Sequence, residues 1–267
     1  MKKHIGFIMM SIILLSAVRV FSQVNYRVIK VNGSIIYVRT GNNMTQGDVF
    51  KEDETLSFQT PNSRAAVINP TSGRFILSPD NYENLSSAKT NFAPAMSNLS
   101  TRGGIINNMI DLQNQFSEDI VILCEAGYYL NPYKFPMNEN QFFFLKYKYN
   151  GEEINKKLSF DQNKLLFSRE EILKVDQMPI KGIDSPDVSL YYYNNGTPEF
   201  INDFRLVLPE ISQLDTELKI ILDESPGKSF NQKVNDISGY IFEFYGKPDK
   251  QDVINHLEKN FGLVKSE

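Results

Sequence analysis

The sequence contains no tryptophan, one cysteine (Cys124) and two histidines (His4 and His256) among its 267 residues. A single cysteine excludes an intramolecular disulfide, so the fold has to be stabilised by packing. One cysteine and the one histidine beyond the N-terminal segment cannot complete the usual ligand set of a zinc site. No Gly-rich phosphate loop follows a predicted strand either. We therefore predict no metal site and no cofactor.

The N-terminal 22 residues are typical of a secretory signal peptide. Lys2 and Lys3 precede an apolar run over 5–18, and Ser22 offers a small residue for cleavage before Gln23. This run is shorter than the roughly 20 apolar residues that span a bilayer, and no later run is long enough. We expect cleavage near Ser22, a periplasmic or secreted location, and a mature chain without a membrane span.

Acidic residues outnumber basic ones, with 32 Asp and Glu against 28 Lys and Arg. Removal of the signal peptide takes away Lys2, Lys3 and Arg19 and no acid, which leaves 28 − 3 = 25 basic residues and a net charge of −7. Phosphate backbones are bound through a basic field. A nucleic-acid partner is therefore not expected.

Residues 23–78 combine short β-rich runs with closely spaced turn residues, among them Gly33, Gly41, Gly47 and Gly73. This pattern is typical of a small β-barrel or β-sandwich. The following residues 79–117 are rich in Pro, Ser, Asn and Gly and are predicted to be a linker. Within them, apolar residues at helical spacing predict a short amphipathic helix (Ile105, Met109, Leu112 and Phe116).

Residues 118–267 are predicted to form a mixed domain. Asn150-Gly151 between two β-rich runs is a strong hairpin signal, and a two-residue loop pairs Tyr149 with Glu152 and Lys148 with Glu153. Ser168 and Glu171 form a capping box that opens a short helix. Apolar stripes then predict three C-terminal helices, of which the last begins at Asp249 and ends at Gly262. Strands followed by helices favour an α+β fold with an antiparallel hairpin sheet and C-terminal helices.

Cys124 and His256 are the candidates for nucleophilic catalysis, because a cysteine nucleophile needs a base such as imidazole. Cys124 ends an apolar run without a signature known around nucleophilic cysteines, and His256 falls on the polar side of the last helix, opposite Val253 and Leu257. No G-x-S-x-G elbow is present. The preferred interpretation is a buried structural cysteine and a solvated histidine, so no catalytic residue is assigned. A hydrolase that uses this pair, or an unrecognised carboxylate pair, is kept as an alternative.

Two other clusters are candidates for binding sites. The acidic turn with Asp48, Glu52, Asp53 and Glu54 lacks the ligand spacing of a calcium loop, so a solvated turn is expected. Aromatic runs at 128–129, 142–144 and 191–193 could build a platform for a sugar or a peptide. Adjacent residues of a strand point to opposite faces, so we expect core packing for much of this area.

Five segments of the N-terminal region carry a family resemblance: Val31-x-Gly33, Gly47-Asp48, Leu56-Ser57-Phe58, Arg64-Ala65-Ala66-Val67 and Gly73–Leu77. They resemble FecR-like or SH3-like β modules, which implies a shared β scaffold. The chain as a whole is similar to uncharacterised secreted proteins of Bacteroidetes, including its Phe21-Ser22-Gln23 junction.

The leading hypothesis from the sequence is a non-enzymatic protein that is secreted or periplasmic and associated with the cell envelope. It would act through protein–protein interaction with an envelope or secreted partner. The alternatives are the secreted hydrolase and a carbohydrate- or peptide-binding module built on the aromatic residues.

Overall fold

A computed structural model describes residues 25–79, 90–95, 104–175, 178–180 and 185–265. The predicted signal peptide lies outside the described residues. The N-terminal strands are β1 (Asn25–Asn32), β2 (Ile35–Tyr37), β3 (Val49–Lys51), β4 (Leu56–Phe58), β5 (Arg64–Asn69), β6 (Gly73–Pro79) and β7 (Thr90–Pro94). The following strands are β8 (Ile120–Val121), β9 (Glu125–Tyr129), β10 (Gln141–Tyr149), β11 (Glu152–Lys157), β12 (Ser159–Asp161), β13 (Lys164–Ser168), β14 (Lys174–Val175), β15 (Met178–Pro179), β16 (Asp187–Asn194), β17 (Thr197–Val207) and β18 (Lys247–Pro248). The helices are α1 (Met109–Gln115), α2 (Arg169–Ile172), α3 (Ile211–Asp223), α4 (Phe230–Phe244) and α5 (Lys250–Phe261).

This element order confirms the predicted α+β class. In the N-terminal region an open sheet in the order β3-β1-β5-β6-β7 lies beside the two-stranded sheet of β2 and β4. One hydrophobic core draws on both sheets, including Val28, Ile35, Phe58 and Val67. The sandwich alternative therefore describes this region, and the strands that the structure describes there do not close into a barrel.

The predicted linker contains regular structure where it is described. Strand β7 pairs with β6 in antiparallel fashion. Helix α1 is capped by Asn108, and Leu112 and Phe116 bury their side chains in a second core. The predicted helix thus forms, although Ile105 lies before it and is 55% exposed.

The second large sheet has the order β11-β10-β16-β17-β8-β18. Its hairpin has the predicted register, with Tyr149 opposite Glu152 and Lys148 opposite Glu153. Asn150 and Gly151 both take positive φ, at 51° and 85°, as a two-residue hairpin turn of this type requires. A smaller sheet in the order β12-β13-β9 and the two-stranded sheet of β14 and β15 also belong to this region.

Local capping rules determine where the helices begin and end. Ser168 caps α2, and Ser229 and Gln232 form a full capping box at α4. Asp249 caps α5, which ends at Gly262 with φ 62°. No helix among the described residues is long and apolar enough to cross a lipid bilayer.

The three C-terminal helices pack against the N-terminal sheet. Ile29 and Ile68 of that sheet share a hydrophobic cluster with side chains of α3, α4 and α5. A buried ion pair joins Lys30 of β1 to Glu217 of α3, and another joins Arg74 of β6 to Glu243 of α4. The domain boundaries at residues 78 and 117 stay predictions, but the two regions share a common core.

Candidate functional site

Cys124 and His256 lie side by side, although 132 residues separate them. Cys124 follows β8 and directly precedes β9, while His256 projects from the middle of α5. The thiol sulphur Sγ lies 4.0 Å from Nδ1 of the imidazole. The prediction of a solvated histidine is wrong, because His256 is only 1% exposed. The prediction of a buried cysteine is also wrong, since Cys124 is partly exposed.

The histidine is buried because α5 is covered on two sides. Its apolar side, with Val253 and Leu257, packs into the helical cluster. Its polar side consists of Asp252, His256 and Asn260, which recur every fourth residue and therefore share one face. At Asp252 and His256 that face meets β9 and α3 rather than water, and Asp252 is fully buried. Asn260, at the end of the row, is exposed.

Asp215 of α3 lies behind the imidazole, on the side away from the thiol. Its Oδ1 is 2.6 Å from His256 Nε2, and its Oδ2 accepts a hydrogen bond of 2.9 Å from the Asn260 amide. With a carboxylate at this distance, Nε2 carries the proton and donates it to Asp215. Nδ1 then presents its lone pair to the Cys124 thiol. The order thiol, imidazole, carboxylate is the order of a catalytic triad.

Asp252 holds the backbone of the cysteine segment. Its Oδ2 accepts a 2.7 Å hydrogen bond from the Leu123 N–H, and its Oδ1 accepts 2.9 Å bonds from the Cys124 and Glu125 N–H groups. The carboxylate lies in the first turn of α5, where the helix dipole favours a negative charge. Three charge-assisted hydrogen bonds thus tie the cysteine segment to the helix that carries His256.

Electrostatics keep the resting thiol protonated. Partial burial raises the pKa of Cys124 above its ordinary value, and the Asp252 carboxylate raises it further. Lys259 and Arg169 act in the opposite direction and lower this pKa, but they do not reverse the shift. At neutral pH the side chain is therefore a thiol, and the imidazole has to accept its proton during any attack.

Sequence reasoning named Cys124 and His256 but missed Asp215 and Asp252. The recurrence of Asp252, His256 and Asn260 at every fourth position was the available signal, because a row of hydrogen-bonding groups on one helix face indicates a polar contact as readily as a solvent-facing side. Asp215 had no such signal, since its position opposite the imidazole depends on how α3 packs.

In the acidic turn, Glu52 and Asp53 are exposed as predicted, whereas Asp48 and Glu54 are half-buried and have partners within the N-terminal region. Asp48 accepts hydrogen bonds from the N–H and the hydroxyl of Thr45, at 2.8 and 3.0 Å, and Glu54 pairs with Arg39 at 3.0 Å. Within the part of the chain that the structure describes, no group of three His, Cys, Asp or Glu side chains could hold a metal ion.

The aromatic runs split between core and surface, as strand alternation predicts. Phe143 and Tyr192 are buried, while their neighbours form a row on the outer face of the second sheet. In that row Phe142 stacks on Tyr193 with ring centroids 4.8 Å apart, and Phe144 stacks on Tyr191 at 5.1 Å. Phe200 extends the row and is 50% exposed.

Three of the open grooves on the described surface have volumes of about 510, 610 and 550 Å³, and Cys124 and His256 line none of these three. The first borders the second sheet and is lined by Asp119, Asp187, Val188, Ser189, Asp203, Phe204 and Arg205. The other two lie in the N-terminal region.

Comparison with known protein families and with curated proteins finds no match to this chain. The resemblance to FecR-like or SH3-like modules therefore stays a prediction, and any function has to be argued from the geometry.

Proposed function

We propose that this protein is a secreted or periplasmic hydrolase in which Cys124 is the nucleophile. The observation that carries the proposal is the alignment of three groups from distant parts of the chain. Cys124 Sγ lies 4.0 Å from His256 Nδ1, and His256 Nε2 lies 2.6 Å from Asp215 Oδ1. This is the hydrolase alternative of the sequence analysis, and it takes precedence over the non-enzymatic hypothesis because its two residues meet.

The reaction class that fits is acyl transfer to water. His256 Nδ1 takes the thiol proton as Sγ forms a bond to the carbonyl carbon of an ester, thioester or amide. The electron pair of the carbonyl bond moves onto oxygen and forms an oxyanion. When this pair returns, the bond to the leaving group breaks, and the imidazole gives its proton to that group. Water, deprotonated by the same imidazole, then hydrolyses the thioester and releases the thiol.

Asp215 acts through the imidazole in this scheme. Its carboxylate fixes the ring with Nδ1 towards the thiol and stabilises the imidazolium that forms during attack. Asn260 in turn orients Asp215 through the 2.9 Å hydrogen bond to Oδ2. Because the thiol pKa is raised, the site works by general-base catalysis and does not start from a preformed thiolate.

The test is the rate at which iodoacetamide alkylates Cys124, followed from pH 6 to 10 by mass spectrometry. Alkylation consumes the thiolate, so the raised pKa predicts a rate that is still rising above the ordinary cysteine value of about 8.5. Near neutral pH, His256→Gln should slow alkylation by about a hundredfold, the lower range of general-base catalysis. Asp215→Asn is a second variant that should disturb the structure less, because the Asp215 side chain is partly exposed.

Lys219→Met is the matched control, since Lys219 lies on the same helix as Asp215 and its side chain is 67% exposed. Rates that are equal in the native protein, His256→Gln and Asp215→Asn would refute the nucleophilic role of Cys124.

A second candidate function is binding to a protein of the envelope through the outer aromatic row. The observation in its favour is that Phe142, Phe144, Tyr191, Tyr193 and Phe200 share one outward face. Capture from envelope extract by the native protein, lost in a Phe144→Ser/Phe200→Ser variant but kept in Cys124→Ala, would favour this function over the hydrolase.

A further inference from the structure

We propose that Asp252 keeps the Cys124 site latent by filling the position that the oxyanion of an attacked carbonyl would occupy. This inference rests on the proposed hydrolase function and adds a regulatory contact to the same site.

The first argument is geometric. Acyl-transfer enzymes stabilise the oxyanion with backbone N–H groups that include the N–H of the nucleophile itself, at donor distances of about 2.7–3.1 Å. Here the N–H of Cys124 and the N–H of Glu125 both donate to Asp252 Oδ1 at 2.9 Å, and the N–H of Leu123 donates to Oδ2 at 2.7 Å. An anion-binding position therefore exists beside the nucleophile, and a carboxylate of the chain itself occupies it.

The second argument is that the Asp252 carboxylate excludes an oxyanion from this position. Asp252 is fully buried, so its negative charge is poorly screened from any other charge close by. An oxyanion that developed beside it would meet a like charge and would find the N–H donors already taken. Attack on a carbonyl is then opposed, whereas alkylation of the thiol, which develops no oxyanion, is not.

The third argument is that α5 does not need Asp252 as its cap. Asp249 already caps this helix, and its Oδ1 accepts a 2.9 Å hydrogen bond from the Asp252 N–H. The Asp252 carboxylate is directed at the cysteine segment instead, one helical turn before His256. The hydrogen bonds that its carboxylate accepts therefore come from the backbone around Cys124 and not from the first turn of α5.

The experiment measures hydrolysis of p-nitrophenyl acetate by the native protein and by Asp252→Ala. One oxyanion donor is worth roughly 10²–10³ in turnover, so opening the position should raise the rate by about a hundredfold. Sodium formate should then refill the position and suppress the gain in Asp252→Ala while leaving the native rate unchanged. Asp252→Asn is the shape-matched control: its carbonyl oxygen can still accept from the Cys124 and Glu125 N–H groups, but the charge is gone, so an activation well below that of Asp252→Ala is expected.

If Asp252→Ala does not fold, Asp252→Ser replaces it. The serine hydroxyl can accept a hydrogen bond from one of the three backbone N–H groups and leaves the other two free for an oxyanion. A folded variant whose ester turnover stays at the native level, with no response to formate, would overturn the latency proposal. If alkylation still depends on His256 in that case, the hydrolase function stands. If alkylation is independent of His256, the hydrolase function fails as well.

Discussion

The Lys30–Glu217 ion pair offers a sharp test of how the N-terminal sheet is held to the C-terminal helices. Lys30 Nζ donates to the Glu217 carboxylate at 2.9 Å, and the hydroxyls of Tyr240 and Tyr245 donate to its other oxygen at 2.7 and 2.6 Å. The Glu217 side chain is fully buried, while that of Lys30 is 14% exposed. Replacing Lys30 by Met keeps the apolar stem and removes the charge, together with the 2.6 Å hydrogen bond that Nζ donates to the Tyr245 hydroxyl.

The expected cost follows from the charge that stays behind. Removing one partner of a buried ion pair costs about 3–5 kcal/mol of unfolding free energy, because the other charge is left uncompensated. Both tyrosine hydroxyls still solvate the Glu217 carboxylate, and burial raises their pKa values, so they remain protonated donors. We therefore expect Lys30→Met to cost about 3 kcal/mol, at the low end of that range.

The assay is equilibrium urea unfolding followed by circular dichroism, with the denaturant slope checked for constancy. Lys219→Met, which breaks the exposed pair with Asp223, is the control and should change stability by no more than about 0.5 kcal/mol. In the double variant Lys30→Met/Glu217→Gln, much of the lost unfolding free energy should be recovered. The amide oxygen of Gln still accepts a hydrogen bond from a tyrosine, and no uncompensated charge remains. A loss from Lys30→Met that is no larger than the control would refute the reasoning.

Two further predictions test other parts of the fold. Gly246 has φ +129°, and a Cβ added there would lie 2.7 Å from the Asp119 carbonyl oxygen, so Gly246→Ala should lower stability by about 2 kcal/mol or more. Gly104→Ala, with open space around it, should change the unfolding free energy by no more than about 0.5 kcal/mol in the same urea unfolding assay, and equal effects would contradict the strain argument. Limited proteolysis should cut within 78–104, given its Pro, Ser, Asn and Gly content. The two fragments should still elute together, because they share a buried cluster; their separation without denaturant would show that this cluster contributes little.

Local rules allowed much of the fold to be predicted. The register of Tyr149 opposite Glu152 follows from a two-residue turn, and the ends of α5 follow from Asp249 and Gly262, because each depends on neighbouring residues alone. The interface between the N-terminal sheet and the helices could not be predicted in this way. Lys30 and Glu217 are 187 residues apart, and a sequence pattern does not show which polar groups meet across such a distance.

The candidate site was misread for a related reason. The prediction of a solvated His256 rests on its position opposite the apolar side of its helix, and that rule holds when only one side of a helix is covered. Here the polar side is covered at Asp252 and His256 too, and these two groups are satisfied by the backbone at Cys124 and by Asp215. Periodicity identifies which residues share a face, but packing decides whether that face meets water.

Helix α5 carries both the proposed base and the proposed block, which limits how the site could open. A rigid displacement of the helix would withdraw His256 together with Asp252 and would leave no catalytic pair. The two halves of the helix, however, are anchored to different partners. Asp252 in the first turn bonds the cysteine segment, whereas His256 and Asn260 bond Asp215 of α3. Rearrangement of the first turn alone would therefore release the N–H groups beside Cys124 while the imidazole kept its orientation, and opening of the site is expected to begin at Asp249–Asp252.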